Sequence, residues 1–250
     1  MMYSSGNNLW TVVKKQAAYK FQSNARIFLT MLILQAIAMF FSFSGMSGSF
    51  GSSSGQFAIN SSVISGSGVI AFSMFWVAIV AFMLTTERTR NSDFAFVASR
   101  LSSNLANISF LALASGLAGF TAALSGILLR NLTYFSYGVD QIIGNNFYLN
   151  PGELLTGLVA TVLYMYIVSA LGYLFGSLVQ LFKPLVAILP GVLLGSLIME
   201  ARTGDKFVLQ AVDYLIAEPS LPFFAVKALV VTALLFGLAT LVTNKLEVRR

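Results

Sequence analysis

Residues 154–182 read LLTGLVATVLYMYIVSALGYLFGSLVQLF, twenty-nine in succession without a charged side chain. A hydrocarbon core of about 30 Å takes about 20 apolar residues at 1.5 Å of rise each, so this run is longer than one membrane span needs. Working outward, similar runs extend from Ile27 to Phe43, Val69 to Thr85, Leu105 to Leu129, Pro184 to Met199 and Phe223 to Val242. The expected fold class is therefore all-α: a polytopic integral membrane protein of about six transmembrane helices.

Composition agrees. Of 250 residues, 57% are hydrophobic and only 10% charged, whereas a soluble domain carries about 25% charged residues. So few charges cannot clothe a soluble surface of this size. The net charge of +6 does not indicate nucleic acid, because the basic residues fall between apolar runs, where orientation signals sit. With the N-terminus inside, Lys14, Lys15, Lys20, Arg26, Arg88, Arg90, Arg100, Lys183, Lys245, Arg249 and Arg250 are cytoplasmic. Only Arg130, Arg202, Lys206 and Lys227 are then external, a split of eleven to four. The positive-inside rule thus predicts a multi-pass plasma-membrane protein with both termini cytoplasmic. No cleavable signal peptide is evident, since four basic residues precede the first apolar run near Ile27.

The organisation predicted is residues 1–26 as a cytoplasmic interfacial segment and residues 27–250 as a six-span transmembrane domain. In the first segment Leu9, Trp10, Val12, Val13, Ala17 and Phe21 interleave with Lys14, Lys15 and Lys20. This spacing reads as an amphipathic helix with its lysines toward lipid phosphates, or as a loose basic tail carrying only a topogenic signal. Gly45 to Gly68 is a Gly/Ser-rich external loop expected to be flexible. Arg130 to Gly152 is a second external loop, with aromatics Tyr134, Phe135, Tyr137, Phe147 and Tyr148. Glu200 to Pro222 is a third, with a short amphipathic or re-entrant helix ended by Pro219. A tight inner turn joins the fourth and fifth spans near Gln180 to Lys183.

The inner loop TERTRNSDFAFVASRLSSN (86–104) is the most informative connection. Asn91 or Ser92 can cap a helix, and Asp93 in its first turn favours the positive end. Phe94, Val97 and Leu101 then recur at three and four residues to form one apolar face, flanked by Arg88, Arg90 and Arg100. Such a helix either plugs into a groove on a cytoplasmic partner or anchors two spans at the interface.

Several chemistries find no residues. Cysteine and histidine are absent, which removes disulfides, thiol chemistry, Cys/His metal sites and nucleophile–His pairs. Gly51-Ser52-Ser53-Ser54-Gly55 matches a hydrolase elbow by chance, with no histidine to act as base. Asn60, Asn107 and Asn131 open N-x-[ST] patterns of equally low weight. Catalytic, cofactor and metal residues are expected to be none, and an enzyme is not expected; no phosphate-binding loop occurs, so ATP and Mg would belong to a partner chain. The spans hold almost no ionisable group, Lys227 near an outer end being the main exception. An apolar conduit suits a hydrophobic or amphipathic cargo. Pro190 is expected to kink the fifth span, and Gly172-x-x-x-Gly176 and Gly191-x-x-x-Gly195 permit close helix packing.

Together these features resemble the permease subunit of the ATP-binding-cassette type-2 exporter family. The likeness covers most of the chain: its length, the basic amphipathic segment, six spans with both ends inside, and the short inner helix after the second span. Glu87-Arg88-Thr89-Arg90-Asn91-Ser92-Asp93-Phe94 is similar to that family's Arg-rich entry to its coupling helix, and the external segment between the fifth and sixth spans also fits. The resemblance implies that two permease chains, identical or related, pair in the bilayer and dock two separate ATPase subunits. The helix from Asn91 to Asn104 would enter the ATPase cleft, braced by Glu87, Arg88 and Arg90 and anchored by Phe94 and Val97. The family's cargoes include peptides, drugs and lipids or glycans. The alternatives are a membrane-embedded scaffold or immunity protein without transport activity, and a secondary carrier, which the missing mid-membrane charges disfavour.

Overall fold

The computed structural model describes residues 9–46, 49–54, 57–62, 66–86, 89, 100–137, 151–203, 210 and 220–245. Seven α-helices organise them: α1 (Leu9–Ser23), α2 (Ala25–Phe41), α3 (Ser67–Thr85), α4 (Arg100–Tyr137), α5 (Pro151–Leu181), α6 (Leu185–Thr203) and α7 (Leu221–Lys245). A π-helical turn, Ser42–Met46, extends α2.

Among the described residues, five segments are long and apolar enough to cross a bilayer: Ala25–Ser44, Ser67–Thr85, Leu101–Ser136, Pro151–Leu181 and Leu221–Thr243. The chain is thus a helical, multi-pass membrane protein. The sequence's fifth candidate span corresponds to the 19-residue α6, with Pro190 inside it. Proline has no N–H, so the carbonyl of Val186 lacks its helical donor there. The predicted inner turn is tight: backbone bonds from Leu185 to the Phe182 carbonyl (3.0 Å) and from Ala187 to that of Pro184 (3.1 Å) close it.

Two boundaries differ from expectation. The third span is part of a 38-residue helix, about 57 Å long at 1.5 Å per residue. It already includes Arg100 to Asn104, which the sequence placed in the inner coupling helix. It also includes Arg130 to Tyr137, which the sequence placed in an external loop. Nothing in either stretch breaks a helix, and hydropathy reports where a span leaves lipid, not where its helix stops. The second difference is in the Gly/Ser-rich loop. Strands β1 (Ser49–Ser54) and β2 (Phe57–Ser62) pair antiparallel there, from Ser49 opposite Ser62 to Ser54 opposite Phe57. Low side-chain content suggested flexibility, but backbone pairing between the two strands satisfies their N–H and C=O groups whatever the side chains. Apart from Gln210, the short amphipathic or re-entrant helix expected before Pro219 lies outside the described residues, as do Phe147 and Tyr148.

The chain divides into two compact units. One comprises Ala18–Val77 and Phe110–Tyr166; the other comprises Met1–Ala17, Ala78–Ser109 and Ile167–Arg250. Along α4 the residues Ala106, Phe110, Ala114, Ala118 and Ala122 recur every four positions and are almost fully buried. Alanine at that spacing lets neighbouring backbones approach, which is how helices associate where no hydrophobic force drives them together. Large side chains point the other way, Leu113, Leu117, Phe120, Leu124 and Leu128 being exposed. An apolar exterior over a small-residue interior suits hydrocarbon as solvent.

Candidate functional site

In the first unit the middle of α2 carries the only amide in its apolar run. Gln35 is buried, and its Nε2 donates to Ser73 Oγ on α3 (3.0 Å) and Thr121 Oγ1 on α4 (3.0 Å). The Ala118 carbonyl accepts a third, longer contact at 3.3 Å. Both hydroxyls spend their own protons on backbone carbonyls, Ser73 on Val69 (2.7 Å) and Thr121 on Leu117 (2.8 Å), so each presents lone pairs to the amide. One neutral side chain thereby ties three helices together.

Towards one end of that unit, Phe28 meets Phe21, Trp76 and Phe110 at centroid distances of 5.0, 6.2 and 6.1 Å. Trp76 donates its indole N–H to Thr30 Oγ1 (3.0 Å), which satisfies the one polar atom of a large buried ring. Along α4, Ser115 is fully buried and its hydroxyl has no hydrogen-bond partner among the described residues.

The second unit has its own polar knot. Tyr173 on α5 is buried; its hydroxyl donates to Asn104 Oδ1 (3.0 Å) and accepts from Asn107 Nδ2 (3.2 Å). The two asparagines stand three residues apart on α4 and so share a face. The Tyr173 ring also lies 5.8 Å from that of Phe236 on α7. Gly172 and Gly176 let α5 approach α3. A Cβ at Gly172 would meet the Ala78 carbonyl oxygen at 2.7 Å, and one at Gly176 would run into Thr85 Oγ1. The Gly172-x-x-x-Gly176 pattern is thus occupied within the chain itself. Gly191 and Gly195 face open space among the described residues.

Of the predicted site residues, Glu87, Arg88, Arg90, Asn91, Asp93, Phe94 and Val97 lie outside the described residues. Arg100 opens α4, with its side chain likewise outside the description. In the N-terminal segment Trp10, Lys14 and Lys15 are exposed on α1, and the Lys14 Nζ lies 5.7 Å from the centroid of the Trp10 ring. Lys20 corrects the sequence reading: it is only 4% exposed. It follows Val13 by seven residues, two helical turns, and shares the packed face with Val13, Gln16 and Ala17. Charge alone had grouped it with the outward lysines.

Gln35, Asn104 and Tyr173 were not singled out from sequence, and Asn107 was noted only as the start of an N-x-[ST] pattern. A signal existed for Gln35, the one amide inside an uncharged run, and for Tyr173, set between two close-packing glycines. Both knots consist of amides and hydroxyls. Among the described residues no group of three or more acidic, His or Cys side chains could hold a metal ion. No protein-family model, curated protein or solved structure matches the chain.

Proposed function

We propose that the chain is the membrane-spanning subunit of an ATP-driven exporter, a permease similar to the ATP-binding-cassette type-2 class, moving a hydrophobic or amphipathic cargo. The observation that supports it best is the neutrality of both buried knots. An ion-coupled carrier moves its ion through buried acids or bases. The polar groups of the two knots, Gln35 with Ser73 and Thr121, and Tyr173 with Asn104 and Asn107, are amides and hydroxyls. The buried ionisable residues Lys20 and Glu200 stand apart from them, near the C-terminal ends of α1 and α6. The energy is then supplied from outside the chain, by ATPase subunits docking on the cytoplasmic loop between α3 and α4. In this reading α6 crosses as the sixth span, both termini are cytoplasmic, a second permease chain completes the pathway, and the membrane is the plasma membrane.

Affinity purification from native membranes should bring down a chain with a phosphate-binding loop, and ATP hydrolysis with it. Failure to recover any such chain under mild detergent would count for the scaffold reading. Reporter tags at the two termini should both be protected in right-side-out vesicles; tags on opposite faces would mean that α6 does not cross. Phe94→Asp should leave the complex assembled but uncouple ATP hydrolysis from transport. It places a charge on the residue expected to be the buried anchor; losing such an anchor costs about 2 kcal/mol or more, which loosens this contact while the rest of the docking surface holds the complex together. Coupled transport in that variant would displace Phe94 from its assigned role.

A further inference from the structure

Both ends of the inner loop are seated on one short stretch of α5. On the outgoing side, α3 ends at Thr85, and the hydroxyls of Thr86 and Thr89 both donate to the Met83 carbonyl (2.7 and 3.1 Å), closing its last turn. Immediately before that end, Ala78 lies against Gly172, and Phe82 and Thr85 lie against Gly176. The Phe82 and Phe175 rings add a contact at 5.7 Å. On the returning side, Asn104 and Asn107 in the first two turns of α4 hydrogen-bond the Tyr173 hydroxyl. Gly172 to Gly176 covers only about 6 Å of helix axis. The same segment reaches α7 through Phe236.

The two helix ends that bracket the inner loop are thus held to one segment of α5, and neither shifts without it. Close-packed interiors transmit displacement instead of absorbing it, and the missing Cβ atoms at Gly172 and Gly176 leave no slack between backbones. The hydrogen bonds at Tyr173 are directional and deeply buried, so the α4 side is fixed in register as well as in distance. We propose that residues 172–176 are the seat through which displacement of the inner loop reaches the spans, with Tyr173 as the positioning residue. The inference rests on the exporter reading and names where its power stroke enters the membrane.

The chain has no cysteine, so one introduced thiol is a unique reporter. Phe223, exposed at the start of α7, is replaced by cysteine. Its labelling by a membrane-impermeant maleimide is followed in membranes holding the chain and its ATPase, with and without ATP plus vanadate. In the otherwise unaltered chain the labelling rate should change by about fivefold or more, the low end for coupled sites. Tyr173→Phe keeps the ring but removes both hydrogen bonds, and should abolish the response per ATP hydrolysed. Should that variant fail to fold, Gly176→Ala carries the test: it wedges Thr85 away while leaving Tyr173 and both asparagines intact. Gly157→Ala, on the same helix with nothing within 4 Å of the new methyl, should respond like the unaltered chain. A full response in Tyr173→Phe or Gly176→Ala overturns the inference alone. No response to ATP in the parental chain overturns the exporter reading, and the inference with it.

Discussion

Gly172→Leu is expected to destabilise the folded chain more than any other single apolar substitution, by about 3 kcal/mol or more, at or beyond the usual upper range for overpacking. The reason is the identity of the obstacle. A Cβ there would approach the Ala78 carbonyl oxygen to 2.7 Å and its Cα to 3.0 Å, and backbone cannot rotate aside as a side chain can. Gly119→Ala should behave similarly on the α4–α5 contact of the other unit, where the new methyl would meet Val162 Cγ2 at 2.7 Å and Cα at 2.9 Å. Alanine at Gly116, Gly191 or Gly195 meets nothing within 4 Å and should leave stability unchanged or raise it by up to about 1 kcal/mol through helix propensity. Fluorescence-detected thermal unfolding reads the series directly. Of the two tryptophans, Trp76 is buried within the Phe28 cluster and Trp10 is exposed, so loss of packing shifts the Trp76 emission. Equal midpoints for Gly172→Leu and Gly191→Leu would remove the α3–α5 contact from the account.

Gln35→Lys should be the second severe change. Gln35 stands at the centre of the Ala25–Ser44 span, where a lysine costs about 2.5–3.5 kcal/mol to insert and no acid is hydrogen-bonded nearby to pair with it. Its surroundings accept hydrogen bonds only through Ser73, Thr121 and one carbonyl. Gln35→Leu should be much milder, about 0.6 kcal/mol and at most about 1.7, the range for hydrogen bonds between membrane helices. It removes one donor but leaves the hydroxyl protons on their own backbone carbonyls. Double-mutant cycles with Ser73→Ala and Thr121→Val would apportion the rest. A leucine variant as damaged as the lysine variant would show that the amide's bonds, not the absence of charge, hold the three helices.

The location of each membrane-directed helix was legible because hydropathy is local. An uncharged run such as 154–182 partitions into hydrocarbon whatever its neighbours do. The tight turn after α5 was legible as well, since Lys183 and Pro184 interrupt an otherwise continuous run. Helix ends were less so: α4 continues past Arg130 because leaving the bilayer does not oblige a helix to stop. The orientation of α1 was misread at Lys20 because charge says where a side chain would be best solvated, while the seven-residue spacing from Val13 fixes which way it points.

The candidate site divides along the same line. By itself the sequence determined that this is a multi-pass helical membrane protein whose apolar runs hold few charges, and it offered two small-residue patterns of equal standing. Only the tertiary structure decided between them. Gly172 and Gly176 are filled by Ala78, Phe82 and Thr85, whereas Gly191 and Gly195 meet nothing among the described residues. Only it joined Tyr173 to Asn104 and Asn107, 69 and 66 positions away. Insertion into a membrane is decided residue by residue against the solvent, but a hydrogen bond or a close backbone approach needs a second helix. No single run of sequence contains its own partner.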